Sequence, residues 1–123
     1  MRYVVLLKGN QPATPPPAGL MEGIFALGEE ATRAGVMLDN AGLAPSAAGA
    51  RVQVADGRLS VTDGPFAESK EMISYAVYEV ASKEDAVEWT SRFMKLHQDL
   101  WQGWEGEAEI LKALGPEDFA PPA

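Results

Sequence analysis

The feature that most constrains the fold is a two-residue turn, Asp56-Gly57, between two short runs in which apolar and polar residues alternate. An Asp-Gly pair in this setting favours a type I′ β-hairpin, because both turn positions need a positive φ. The register that follows has four cross-strand pairs: Val54 with Leu59, Val52 with Val61, Gln53 with Ser60, and Arg51 with Thr62. One face of the hairpin is then apolar and the other polar, which predicts a half-buried hairpin.

Hydrophobic patterns on either side of the hairpin predict the remaining elements. Residues 3–7 and 72–80 are runs of β-prone residues that are apolar on both sides, as in strands covered on both faces. In chain order we predict a strand at 3–7, a helix at 18–34, a short strand at 36–38, a small-residue loop at 39–49, the hairpin, a strand at 72–80, a helix capped by Ser82 and a strand at 107–114.

Each predicted helix has one stripe of apolar residues at helical spacing, and we expect these stripes to pack in the core. The first stripe contains Leu20, Ile24, Leu27, Ala31 and Ala34, and is widened by Met21, Phe25 and Gly28. The second contains Ala86, Trp89, Phe93, Leu96 and Leu100. Gly35 follows the first stripe directly, which favours a left-handed residue at the end of that helix.

The element order predicts an α+β fold with a ferredoxin-like antiparallel sheet and two helices on one face. Because the strands at 3–7 and 72–80 are apolar on both sides, the other sheet face would be a bare apolar patch. We expect a second copy of the chain to cover it, sheet to sheet, in a homodimer. The alternative is that the hairpin and the long loop fold back over that face.

Composition and charge narrow the classes of function. The 123 residues form one domain and include no cysteine, which excludes disulfides, a thiol nucleophile and a Cys-ligated metal. The net charge of −8 makes nucleic acid and anionic membranes poor partners. We find no apolar run long enough to span a membrane, and the first residues fit a strand better than a signal peptide. A cytoplasmic protein is therefore expected.

The loop at 63–71, Asp-Gly-Pro-Phe-Ala-Glu-Ser-Lys-Glu, is dense in charged groups and links the hairpin to the next strand. Such loops on a rigid scaffold often carry binding groups. Asp63 is the candidate catalytic residue, as a general base or a cation ligand aimed into a cleft. Alternatively, Asp63 fixes the turn by accepting backbone N–H bonds. We expect Phe66 to be a core anchor, with a stacking surface as the alternative.

Four charged residues are predicted to bind a polar small molecule beside Asp63: Arg51, Glu68, Lys70 and Glu109. Glu68 and Lys70 share a face if their segment is extended, and Arg51 lies across the hairpin. Glu109 faces the bare side of the sheet, where a carboxylate needs a partner such as Arg51 or Lys70. The alternative is a solvated ion-pair network that contributes little, with Glu109 exposed at an edge.

Other chemistries find little support in the residues. His97 is the sole histidine, and its place on a helix flank is more typical of a satisfied or exposed side chain than of a ligand. We therefore predict no metal site, no Ser-His-Asp hydrolase and no cofactor. Trp89, Trp101 and Trp104 are interpreted as core or interface anchors.

Several segments together resemble the YCII-related family, and in particular its DGPF-type members. They are Lys8-Gly9, residues 34–38 followed by 42–45, residues 61–71, and residues 104–110. The resemblance covers residues 1–114 and leaves 115–123 as a Pro-rich tail, whose residues 116–119 resemble the tail of DGPF-type members. It implies a ferredoxin-like fold in a dimeric, α/β-barrel-like assembly, with a cleft near the subunit boundary.

The resemblance also frames the function. In shorter YciI-like relatives a His on the first helix and an Asp are a suggested acid–base pair, but residues 18–35 contain no His, so the pair does not carry over. The leading hypothesis is a domain that binds, or transforms, a small polar metabolite in the cleft. Because DGPF-type relatives are linked with extracytoplasmic-function sigma factors, a second hypothesis is a non-enzymatic accessory whose acidic surface contacts such a factor. A third is a dimerisation domain without a ligand.

Overall fold

The computed structural model describes residues 1–10, 14–67 and 70–119. Its elements are β1 (Arg2–Gly9), α1 (Ala18–Arg33), β2 (Met37–Gly42), β3 (Ala50–Ala55), β4 (Arg58–Asp63), β5 (Glu71–Glu79), α2 (Lys83–Leu100) and β6 (Gly106–Lys112), with 3-10 turns at Ser46–Ala48 and Pro116–Phe119. This sequence of elements confirms the predicted order. Neither α1 nor α2 is both long and apolar enough to cross a bilayer.

Four strands form one antiparallel sheet in the spatial order β2-β5-β1-β6, and β3 pairs with β4 in a separate hairpin. This is the strand order of a ferredoxin-like α+β fold, as predicted. The strand predicted at 36–38 is too short, because β2 continues to Gly42 and pairs with β5. Main-chain hydrogen bonds to the neighbouring strand hold an edge strand in place even where its side chains are not apolar. A search for apolar runs therefore misses the end of such a strand.

Both helices cover the same face of the sheet. Tyr3 and Val5 of β1 lie in one buried cluster with Ala31 of α1 and Ala86 of α2. Because side chains alternate along a strand, Val4 and Leu6 point to the opposite face, which we call the outer face. Val4 and Leu6 are half-buried between neighbouring strands. Within this chain β1 is therefore covered by helices on one side only.

The helix ends follow the predicted signals. Ser82 Oγ accepts a hydrogen bond from the Asp85 backbone N–H at 3.2 Å, and Gly35 adopts a φ of +74° just after α1. Three members of the predicted stripes are wrong, because Phe25, Ala34 and Leu100 are exposed. Ala34 lies just past the end of α1. Phe25 lies at the border of its stripe, and Leu100 is the last residue of α2, where the chain turns away.

The hairpin has the predicted turn and register. Asp56 and Gly57 have φ values of +53° and +73°, and Val54 pairs with Leu59 as expected. The prediction that the hairpin is half-buried is wrong within this chain, because its four large apolar side chains are 64–73% exposed. Every residue from 52 to 63 is exposed, so the hairpin projects from the fold and does not fold back over the outer face.

Candidate functional site

The signature loop, residues 64–70, begins with a close contact that only glycine permits. The Gly64 backbone N–H donates to the Gly49 carbonyl at 2.9 Å, which joins the base of the hairpin to the loop that precedes β3. A Cβ atom at Gly64 would collide with the Ser46 carbonyl. The glycine of the signature is thus explained by packing against the 3-10 turn.

Ser46 fastens the signature loop to the sheet. Its Oγ accepts from the Phe66 backbone N–H at 3.0 Å and lies 2.7 Å from Glu71 Oε1, to which it donates. Glu71 begins β5 and pairs with Gly9 at the end of β1. The sequence analysis missed this anchor. The available signal was a hydroxyl residue directly after Pro45, because Ser side chains at such positions often hold turns.

The Arg51 side chain lies over the ring of Phe66 in the signature loop. The Arg51 guanidinium carbon lies 4.2 Å from the centroid of the Phe66 ring, within the range of a cation–π interaction. Phe66 is half-buried and serves as a stacking surface, so the expected role as a core anchor is wrong. The predicted binding residue Arg51 is therefore held at the hairpin base by the signature loop itself.

Two ion pairs lie on the outer face where β1 ends and β6 begins. Lys8 Nζ is 3.1 Å from Glu109 Oε1, and Lys70 Nζ is 3.4 Å from Glu107 Oε1. The register places Lys8 opposite Glu107, so all three strand residues share the outer face. We call these four residues the charged end. Their side chains are 32–52% exposed.

The charged end contains two of the predicted binding residues, Lys70 and Glu109, but not as partners of each other. The expected pairing of Glu109 with Arg51 or Lys70 is not the one observed. Lys8 pairs with Glu109 instead, because the β1–β6 register makes these two residues diagonal neighbours on the outer face. Lys8 was missed, since only the register of distant strands reveals it. Glu107 shares a strand face with Glu109 but was not counted among the candidates. Glu68 lies outside the described residues.

Asp63 ends β4 opposite Ala50 and is exposed. Across residues 1–10, 14–67 and 70–119, its side chain takes part in no hydrogen bond or ion pair. The alternative role of fixing the turn belongs to Ser46 instead, because Ser46 receives the N–H of the loop. The catalytic role of Asp63 stays a prediction.

The rest of the outer face is largely apolar. Val4 and Leu6 pair with Val77 and Tyr75 of β5, and these four side chains are half-buried. The Tyr75 hydroxyl donates to Asp39 Oδ2 at 2.8 Å, and this bond to a carboxylate raises the pKa of the Tyr75 phenol. The apolar part and the charged end thus form one continuous surface.

An aromatic cluster occupies the other face of the same end of the sheet. The His97 ring packs against Trp104, with centroids 4.5 Å apart, and His97 Nδ1 lies 3.0 Å from the Phe93 carbonyl. Burial lowers the pKa of His97, despite the opposing effect of this hydrogen bond. His97 is therefore a satisfied core residue, and Trp104 is a packing anchor as predicted. A Cβ atom at Gly106 would collide with the Trp104 ring.

A groove of about 610 Å³ lies beside this cluster. It is lined by Ser91, Met94, Lys95, Gln98, Trp101, Gly103, Trp104, Glu105 and Gly106. None of the predicted site residues that the structure describes borders it. In the described part of the chain, no group of three or more His, Asp or Glu side chains is placed to hold a metal ion.

Comparison with known proteins identifies the family. No curated protein matches the chain. The family model described as the YCII-related domain matches residues 1–102, from β1 to just past the end of α2. The match includes the hairpin and the signature loop, and it accounts for most of the 123 residues. The chain belongs to the YCII-related domain family.

Proposed function

We propose that this protein binds, or transforms, a small polar metabolite at the charged end of the outer face, in a cleft completed by a second copy of the chain. The observation that carries the proposal is the position of two lysines and two glutamates on a sheet face that no helix of the described chain covers. Alternating cations and carboxylates supply both donors and acceptors for a ligand with polar groups of both kinds.

A network of ordinary surface ion pairs would contribute little. The charged end differs because it borders the apolar part of the outer face, around Val4 and Leu6. A partner that covers the apolar part would also remove water from the charges, and electrostatic interactions strengthen as water is excluded. A ligand that enters the remaining cleft would then meet charges that are already paired and held in place.

The signature loop supports this site from one side. The bond between Ser46 and Glu71 fixes the start of β5, and Lys70 is the residue directly before it. Arg51 is stacked on Phe66 at the hairpin base, and Asp63 is the last residue of β4. In a reaction, Asp63 would act as the general base, since it is an exposed carboxylate next to the signature loop.

The second copy is inferred from the outer face itself. Val4, Leu6 and Val77 present aliphatic side chains on a surface that no described helix covers. Sheets of this kind pack face to face at about 10 Å and bury such side chains between them. A sheet-to-sheet homodimer with a barrel-like arrangement is the simplest arrangement that covers this face and leaves the charged end at its border.

Ligand screening by thermal shift tests the proposal, with a library of small carboxylic acids, amines and amino acids. We expect a compound that stabilises the wild type to bind Lys70→Met about 10–100-fold more weakly, because a hydrogen bond to a charged group is lost. Lys95→Met is the matched control, since Lys95 forms an exposed ion pair with Asp99 on α2. Asp63→Asn should bind the compound and lose any turnover. Equal affinities for the wild type, Lys70→Met and Lys95→Met would rule out a site at the charged end.

A further inference from the structure

The β3–β4 hairpin has a continuous apolar face that nothing in the described chain covers. Val52, Val54, Leu59 and Val61 are neighbours by register on this face, and they are 64–73% exposed. A two-stranded hairpin by itself is marginally stable in water. A flat apolar hairpin with two free edges is also prone to pair with other chains unless a defined partner occupies it.

The base of this hairpin is firmly held. The bond from Gly64 to Gly49 and the contact of Gly64 with Ser46 fix the two strands where they leave the fold. Arg51 stacks on Phe66 at the same level. The hairpin is therefore presented as an arm with a fixed starting direction, which suits a contact made at a defined place.

We propose that the apolar face of this arm docks on a second copy of the chain, so that the two copies exchange arms in the dimer. The proposal rests on the homodimer of the proposed function and names a second contact within it. It brings the hairpin base, with Arg51 and Asp63, to the subunit boundary. Each arm thereby closes one side of the cleft beside the charged end.

Charge favours a second copy as the occupant. The arm contains two arginines, Arg51 and Arg58, and two aspartates, Asp56 and Asp63, so it carries no net charge. The whole chain has a net charge of −8, so two copies repel each other over most of their surfaces. A neutral, apolar arm is the region through which they approach with the least repulsion.

The area of the arm's apolar face also favours a second copy of the chain as the occupant. Each strand of the arm has six residues, so the arm is about 20 Å long and offers only a small patch. A stable interface usually buries about 800 Å² on each partner, more than such a patch supplies. Two-fold symmetry uses the patch twice, and the outer face with Val4 and Leu6 adds further apolar area on the same molecule.

The oligomeric state of two double variants tests the proposal. Val54→Asp with Leu59→Asp places two charges on the apolar face, whereas Gln53→Asp with Ser60→Asp places two charges on the polar face of the same strands. Sedimentation equilibrium should show a dimer for the wild type and the second variant. For the first variant we expect the dissociation constant to rise by about 100-fold or more, as for buried anchor residues.

Thiol labelling separates docking from loss of the hairpin. The chain has no native cysteine, so Val54→Cys and Gln53→Cys each introduce a single probe. Val54→Cys should react more slowly than Gln53→Cys at dimer concentrations, and the two rates should converge on dilution. Equal rates at all concentrations, or a dimer that survives Val54→Asp with Leu59→Asp, would overturn the arm contact while leaving a sheet-to-sheet dimer intact. A monomeric wild type would overturn both, and the thermal-shift screen reports on the metabolite site separately.

Discussion

The first strand and the projecting hairpin have the same kind of sequence pattern and opposite surroundings. Tyr3, Val5 and Leu7 of β1 are at most 6% exposed, and Tyr3 and Val5 lie in one buried cluster with residues of both helices. Val54 and Leu59 of the hairpin lie on an equally apolar face, yet they are 73% and 71% exposed. The alternation of residue types decides which side chains share a face, whereas the position of other elements decides whether that face is covered.

The difference also has an energetic meaning. Burial of a Val or Leu side chain contributes roughly 1.5–3 kcal/mol to the free energy of unfolding. The residues on the covered face of β1 make this contribution within a single chain. The same residue types in the hairpin contribute only when a partner removes them from water. The stability of the isolated fold should therefore be insensitive to changes on the hairpin.

The largest expected effect on the free energy of unfolding comes from a direct comparison of β1 with the hairpin. Leu7→Ala should lower the free energy of unfolding by about 2–5 kcal/mol, because Leu7 is only 2% exposed and a cavity would remain. Val54→Ala should change it by less than about 0.5 kcal/mol when the protein is dilute enough to be monomeric. Urea unfolding followed by circular dichroism measures both. A similar loss for both variants would mean that the hairpin is covered in the single chain.

A smaller effect on the free energy of unfolding is expected from a substitution where the hairpin joins the fold. Gly64→Ala should cost about 1–3 kcal/mol, because the added Cβ collides with the Ser46 carbonyl and the loop must move. Gly49→Ala is the control in the same loop, since its Cβ would lie an ordinary 3.6 Å from Ser46 O. Gly49→Ala should change the free energy of unfolding by less than about 0.5 kcal/mol. If the two alanine variants unfold at the same urea concentration, the close contact does not hold the arm.

The smallest expected effect is a change with pH in the free energy of unfolding. It tests the packing of His97 on the helix-covered side of the sheet. Burial lowers the pKa of His97 below its usual value near 6.5, so the unfolded chain binds a proton more readily than the folded one. This contribution to stability is complete above about pH 6.5 and is lost as the pH falls towards the folded pKa, by at most about 1.4 kcal/mol per pH unit.

A difference experiment isolates that contribution from the carboxylates. The free energy of unfolding of the wild type should fall more steeply between about pH 6.5 and pH 5.5 than that of His97→Gln, which lacks the titrating group. The carboxylates titrate in both proteins, so the difference between the two curves belongs to His97. Parallel curves would show that the His97 ring is not held neutral in the core.

Local signals predicted the parts of the fold that depend on neighbouring residues. The Asp56-Gly57 turn set the hairpin register, Ser82 marked the start of α2, and Gly35 marked the end of α1. Each works through a contact within a few residues, such as a turn or a cap. β2 was underestimated because its pairing with β5 depends on main-chain bonds to a distant strand, which side-chain patterns do not report.

The candidate site was less accessible to sequence reasoning for the same reason. Lys70 and Glu109 were identified as charged residues near the signature, but their observed partners are Glu107 and Lys8. The Lys8–Glu109 pair follows from the register between β1 and β6, whose residues are about a hundred positions apart in the chain. Lys70 reaches Glu107 from the start of β5. Ser46 was missed because a serine in a small-residue loop carries no periodicity, and its partners lie beyond the hairpin.

The packing of Trp104 has a practical consequence for detecting ligands. Its indole lies against Gly9 and Gly106, which face each other across β1 and β6 and are the chain neighbours of Lys8 and Glu107. Only the thickness of the peptide backbone separates this fluorophore from the two lysine–glutamate pairs behind it. A ligand bound at the proposed site is therefore expected to change tryptophan emission, without any attached dye.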